Sequence, residues 1–259
     1  MGKHHQRATH LKMPRDPIVA RDFDEVISFL KQKLALPGKP PATMMPVAQK
    51  IHEYTYSLIL WKFALGKMPS RGRVYIEEIA SDALQILPQI LSGYSKTAKL
   101  LMRGIVENTL RHIYFFDHPV EFTRINKAGK WHMTVSGMFD FMGTHPEFET
   151  TEKTFDALAR LSSVYSELST GIHGRSVKDL ETRIALQSIA FDPAKAAEDA
   201  ALLARMTVAA NFLIAIFHHE RVSNFSANDR RIILRTLPAP ARQIWKEHAS
   251  ADDLKASRI

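Results

Sequence analysis

At 259 residues and 45% hydrophobic content, the chain can bury a core as one large domain or two small ones, which excludes disorder throughout. Its 35 Lys and Arg against 27 Asp and Glu give a formal charge of +8, a balance that favours polyanions: nucleic acid first, an acidic protein surface second. Cysteine is absent, so disulfides, thiolate zinc sites and a cysteine nucleophile are excluded, and a cytoplasmic location fits.

The N-terminus MGKHHQRATHLKMPRDP is basic, with no apolar segment of the secretory kind after it. The longest nearly apolar run, MTVAANFLIAIF from Met206 to Phe217, is shorter than the roughly 18 residues that a membrane span needs. A soluble protein with no membrane partner is expected.

Period-3.6 patterns recur and alternating runs bounded by hairpin turns do not, so the expected fold is all-α, a bundle of about eight to ten helices. Residues 1–17 read as a flexible basic arm, followed by a single domain over 18–259. Asp22 is placed to cap a helix through about Leu36, and the prolines of LPGKPPATMMP end it. A second helix is expected from Met44 or Pro46 to Leu65. The basic loop KMPSRGR, residues 67–73, leads to a third over Val74–Leu91, kinked at Pro88.

Ser95 is expected to cap a helix that reaches Phe116 and stops at DHP. Short helical pieces should fill 119–150, and Thr151 should open the next long helix, ending at Gly174. Further helices are expected over Val177–Ala190, from Pro193 to Arg221 as the most enclosed of all, and from Ser226 as a short basic one. The sequence LPAP then separates a last helix.

Two helices carry polar residues beside a core face. In LLMRGIVENTLRHIYFFD, a core side of Leu101, Met102, Ile105, Val106, Ile113 and Phe116 is flanked by a stripe of Arg103, Glu107, Leu110 and Tyr114. Arg111 and Tyr114 count with this helix's candidate ligand-binding residues. In FDALARLSSVYSELSTGIHG, the face Leu158, Leu161, Tyr165, Leu168 and Ile172 is flanked by Ser162, Ser166, Ser169 and His173.

The plain alternatives are a solvated i, i+4 ion pair worth about 0.2–0.5 kcal/mol, and a tight helix crossing that ends in a structural histidine. If the two helices are antiparallel neighbours, their stripes meet. An arginine, a carboxylate, an imidazole and hydroxyls then share one groove, a set able to hold a phosphate and move a proton near neutrality.

An Arg-x-x-x-Glu helix followed by a helix ending Leu-Ser-x-x-x-His-Gly resembles the HEPN superfamily, particularly its abortive-infection and defence-associated members. That resemblance spans about residues 75–220. It implies a helical bundle, usually dimeric, that acts on RNA as a metal-independent ribonuclease without a cofactor, alongside protein partners of a defence system. It gives His173 the acid–base role and makes Ser169 the polar residue of the motif. Leu168 stands where the family has arginine; Arg103 or Arg175 would then neutralise the phosphate, with Glu107 and Ser169 orienting them and Ser166 beside them.

Leu168 favours a rival reading, an inactive interaction or dimerisation module on the same scaffold. A third reading is an electrostatic nucleic-acid binder using the basic arm and loops. His218, His219 and Glu220 read as an exposed helix end, because adjacent histidines point about 100° apart and do not form the helical i, i+4 zinc pair. His4, His5 and His10 read as part of the solvated arm, so no metal site is expected. The clusters Lys67–Arg73 and Arg230, Arg231, Arg235 are further phosphate candidates.

Overall fold

The computed structural model describes residues 16–33, 42–128, 133–173, 189–222 and 225–256. Among these residues there are twelve helices and no strand, so the fold is all-α. Contacts divide the chain into two compact units, Met1–Gly38 and Lys39–Ile259, with the boundary inside the proline-rich segment that was expected to break the first helix.

The first unit contains α1, Pro17–Lys33. Its cap is Asp16 rather than Asp22: the Asp16 carboxylate accepts the Ile18 N–H at 3.0 Å and its carbonyl accepts the Ala20 N–H at 2.9 Å. Proline in the first turn loses no helical bond, so the helix starts earlier than the Asp22 signal suggests. Val19, Phe23, Ile27 and Leu30, three or four residues apart, form its buried face.

In the second unit, α2 (Met44–Ala64), α3 (Ser70–Leu91) and α4 (Ser95–Asp117) form successive hairpins. The segment 67–73 is mostly helix rather than loop: α3 begins at Ser70, and Arg73 pairs with Glu77 one turn on. Ser95 is the first helical residue rather than the cap, a position held by Tyr94 without a side-chain capping bond. The α3–α4 turn requires Gly93, whose φ is +83° and where a Cβ would overlap the Ala190 backbone. At the far end of this antiparallel pair, Arg71 Nε donates to the Phe116 carbonyl.

Short helices α5 (Pro119–Ala128), α6 (Val135–Gly143) and α7 (Pro146–Phe155) follow, as expected for this stretch. Thr151 lies within α7. The break before α8 (Ala157–His173) instead falls at Asp156, the one non-glycine residue with positive φ (58°) among those described. The helix expected over Val177–Ala190 lies largely outside the described residues.

Helix α9 (Pro193–Phe217) is capped by Asp192, whose carboxylate accepts from Ala194 N and Lys195 N. It is the most enclosed helix, as its nearly all-round apolar sequence requires. By length and composition it could also cross a membrane, yet 72% of its most apolar window is buried inside the protein. It stops at Phe217, before α10 (His219–Val222), α11 (Ala227–Thr236) and α12 (Ala239–Ala256). Ser226 caps α11 as expected, accepting from Asp229 N.

Helix directions follow from pairings at matched heights. Lys99 meets Asp199 and His112 meets His218, so α9 runs parallel to α4. Phe155, two residues before the start of α8, meets Phe212, and Glu167 in α8 meets Arg205, so α8 runs antiparallel to α9 and hence to α4. The antiparallel arrangement that lets the polar stripes meet is therefore present.

One polar group inside α9 ties three helices together. Asn211 Oδ1 accepts from Trp61 Nε1 at 2.8 Å, while Nδ2 donates to Ser57 Oγ and Thr236 Oγ1, each at 2.9 Å. Removing this amide would strand a buried indole N–H in an apolar core. Asn211→Ala should lower unfolding free energy by about 2–4 kcal/mol in urea titration, whereas Asn228→Ala on the exposed start of α11 should change it by less than about 0.5 kcal/mol.

Candidate functional site

The α4 stripe forms a connected charged row. Arg103 Nε donates to Glu107 Oε1 at 3.0 Å, and Arg111 NH2 donates to Glu107 Oε2 at 2.9 Å. The side chains of Arg103, Glu107 and Arg111 are 25%, 18% and 32% exposed, so the row is half-sunk rather than free in solvent. Two guanidiniums against one carboxylate leave it net positive.

Helix α8 supplies a fourth member. Tyr165 Oη accepts from Arg103 NH2 at 3.0 Å and donates to Glu107 Oε1 at 3.2 Å, closing a ring of three side chains. Partial burial works against the Arg103 charge, but the Tyr165 and Glu107 contacts outweigh it and raise the guanidinium pKa above its ordinary value. Arg111 also donates through NH1 to Asn108 Oδ1. These bonds fix both guanidinium planes, with part of each surface still open to solvent.

Of the other candidates, Leu110 is buried, and so is Tyr114, its ring stacked on His118 at 4.0 Å and edge-on to Phe141 at 5.1 Å. The second half of the stripe thus belongs to an aromatic cluster against α6, and burial raises the Tyr114 pKa. On α8, Ser162 and Ser166 are exposed, whereas Ser169 Oγ is buried without a hydrogen-bond partner among the described residues. Ser169 follows Tyr165 by one turn and shares its α4-facing flank. His173 ends α8 and is described by its backbone alone; Arg175 lies outside the described residues.

Leu168 is completely buried. It is a core contact, so any arginine for this groove comes from elsewhere, and α4 supplies two.

On the α3 side of α4, Asp82 reaches over Gly104. Its Oδ2 lies only 2.6 Å from where a Cβ on Gly104 would stand, so glycine is what allows the carboxylate to approach. Burial, with Glu78 adding a like charge, raises Asp82 to about 6. Sequence marks neither residue, because nothing in the α3 pattern says which carboxylate faces its neighbour's backbone.

The expected exposed helix end at His218 and His219 is not observed: both are buried. Phe217 terminates α9, and the chain turns His218 back against α4, where its Nε2 lies 2.7 Å from His112 Nε2. His112 Nδ1 must donate to the Gly72 carbonyl, 2.8 Å away, so neutral His112 accepts at Nε2 and His218 donates. Burial lowers His112 to about 4. Burial, then the charges of His112, Arg221 and His219, lowers His218 well below its ordinary value. Among the described residues, no group of three or more His, Asp or Glu is arranged to hold a metal ion.

No family model, curated protein or solved structure matches this chain. The site's own geometry therefore carries the functional argument: a positive, half-buried row on one helix, braced by a tyrosine from an antiparallel neighbour.

The neutral histidine pair sets a pH dependence. As pH falls through 6.5, the unfolded chain takes up protons that folded His112 and His218 refuse, so stability drops from 6.5 towards about 4. Asp82 acts oppositely: between about 6 and 3.8 the folded chain holds the extra proton, which offsets part of that loss. Chemical denaturation at pH 7.5 and 5 should show lower stability at pH 5. His112→Gln with His218→Gln should shrink the difference, and Asp82→Asn should enlarge it; the opposite order would contradict the assigned directions.

Proposed function

We propose that this chain is a HEPN-like RNA-binding protein of the defence- or stress-associated kind, with the Arg103–Glu107–Arg111 row as its phosphate-binding surface. The observation that carries this reading is the pair of pre-oriented, part-exposed guanidiniums on one face of α4. Guanidinium forks match phosphate oxygens, and a braced fork loses less side-chain freedom on binding than a free one. The net charge of +8 supports a polyanionic partner, and the resemblance of the α4 and α8 motifs narrows it to RNA.

Tyr165 and Glu107 are positioning residues in this reading; Arg103 and Arg111 contact the phosphate. If the site cleaves RNA, His173 removes the 2′-hydroxyl proton and that oxygen attacks phosphorus. The P–O5′ bond breaks, leaving a 2′,3′-cyclic phosphate, and the departing 5′-oxygen takes the proton back from the His173 imidazolium to become a hydroxyl, while Arg103 neutralises the phosphate. The non-catalytic reading, binding on the same scaffold without this step, is favoured by the burial of Leu168. Homodimerisation and association with a protein partner follow from the resemblance and belong to either reading.

Fluorescence anisotropy with a labelled single-stranded RNA at about 50 mM salt tests binding. Wild type should bind, Arg103→Ala and Arg111→Ala should each bind about tenfold more weakly, and failure of the wild type to bind would end the proposal. Incubation with total RNA and tRNA in EDTA then separates the two readings. Cleavage that disappears in His173→Ala establishes the ribonuclease, and intact binding without cleavage establishes the non-catalytic module.

A further inference from the structure

The basic segment after α2 and the stretch from Arg221 to Asp229, far apart in sequence, come together where α2 ends and α11 begins. A cavity of about 360 Å³ lies there, lined among others by Phe63, Lys67, Arg221, Phe225 and Asp229. Arg230 and Arg231 follow Asp229 directly.

Three features separate this cavity from an ordinary surface dent. Phe63 is 71% exposed, a large apolar side chain held in solvent at the edge of a cationic cavity. Lys67, Arg221 and Asp229 line the same space, yet none of their side chains has a hydrogen-bond or ion-pair partner among the described residues. The back of the cavity is fixed: Phe225 sits edge-on to the fully buried Trp61, ring centres 5.5 Å apart. An exposed aromatic face, two unpaired cations and an unpaired carboxylate around a rigid back are complementary to a ligand with a flat ring, an anionic group and a hydrogen-bond donor.

We propose that this cavity binds one nucleotide of a single-stranded RNA. The base stacks on Phe63, the phosphate lies between Lys67 and Arg221, and the base's amino group donates to the Asp229 carboxylate. The carboxylate makes the site selective. It accepts from a base such as cytosine, which presents an exocyclic amine, and it repels the carbonyl oxygen that uracil presents at the same position. The proposal rests on RNA being the partner, as argued above, and adds a second subsite with base preference that the α4 row, contacting phosphate alone, cannot supply.

Anisotropy with labelled decamers of cytidylate and uridylate tests it. Phe63, Lys67 and Arg221 are exposed, so substitutions there leave the core untouched, and circular dichroism confirms folding. Wild type should prefer the cytidylate decamer. Phe63→Ala should weaken its binding about tenfold, Lys67→Ala with Arg221→Ala should weaken both decamers, and Asp229→Asn should abolish the preference.

If binding depends on Arg103 and Arg111 but is indifferent to all these changes, the second subsite is overturned and the RNA-binding proposal stands. If no RNA binds, both are overturned. If cytidine monophosphate binds as tightly as the decamer, the cavity is a free-nucleotide site and its assignment to RNA is overturned.

Discussion

The Glu107 carboxylate is the contact on which the candidate site depends. Each of its oxygens takes a guanidinium, one from the turn before it and one from the turn after, and Oε1 also accepts the Tyr165 hydroxyl. Without it, two arginines on the same side of α4 would repel each other and sample many rotamers. With it, they form one surface in a single arrangement. An ion pair still in contact with solvent contributes little to stability, so what Glu107 supplies is orientation more than folding energy. Tyr165 extends that order to a second helix, so the shape of the row depends on α4 and α8 staying in register.

That register is set from within. Helix α9 presents apolar side chains in nearly every direction, which forces neighbours onto it from several sides: α2, α4, α8 and the C-terminal helices. An apolar helix specifies contact without specifying height, and its few buried polar groups fix the height. Asn211 sets α2 and α11 against α9 through three hydrogen bonds. The His112–His218 pair sets α4 against the end of α9, and Gly72 joins through its carbonyl. Each group has directional partners that slippage by one turn would lose.

Much of this was legible in the sequence. The all-α class followed from periodicity, helix ends fell near prolines and at Ser226, and the 103/107 spacing announced a salt bridge that the structure contains. What periodicity cannot resolve is the boundary between a core face and its flank. Tyr165 read as core by its 3.6-residue phase, yet its hydroxyl is the groove's contact with α4; Tyr114 read as groove by the same rule and is buried against α6. A single helix gives angles, and the neighbours decide which angles are inside.

Partners distant in sequence were invisible for the same reason. His218 looked like a helix terminus because the residue that buries it lies 106 positions earlier. The early start of α1 depended on a proline following an aspartate, a stronger signal than the Asp22 that drew attention. Lys67 and Arg221 looked unrelated, because only the packing of the C-terminal helices on α2 brings them to one cavity.

The central claim is that Arg103 and Arg111 contact RNA phosphates directly. The most direct measurement is the slope of log affinity against log salt concentration for single-stranded RNA, compared between wild type and the Arg103→Ala, Arg111→Ala double variant. Each lost phosphate contact should reduce the slope by about 0.7, so the double variant should be shallower by about 1.4. A double variant that binds more weakly with an unchanged slope would mean that the two arginines only support the fold, and would contradict the account.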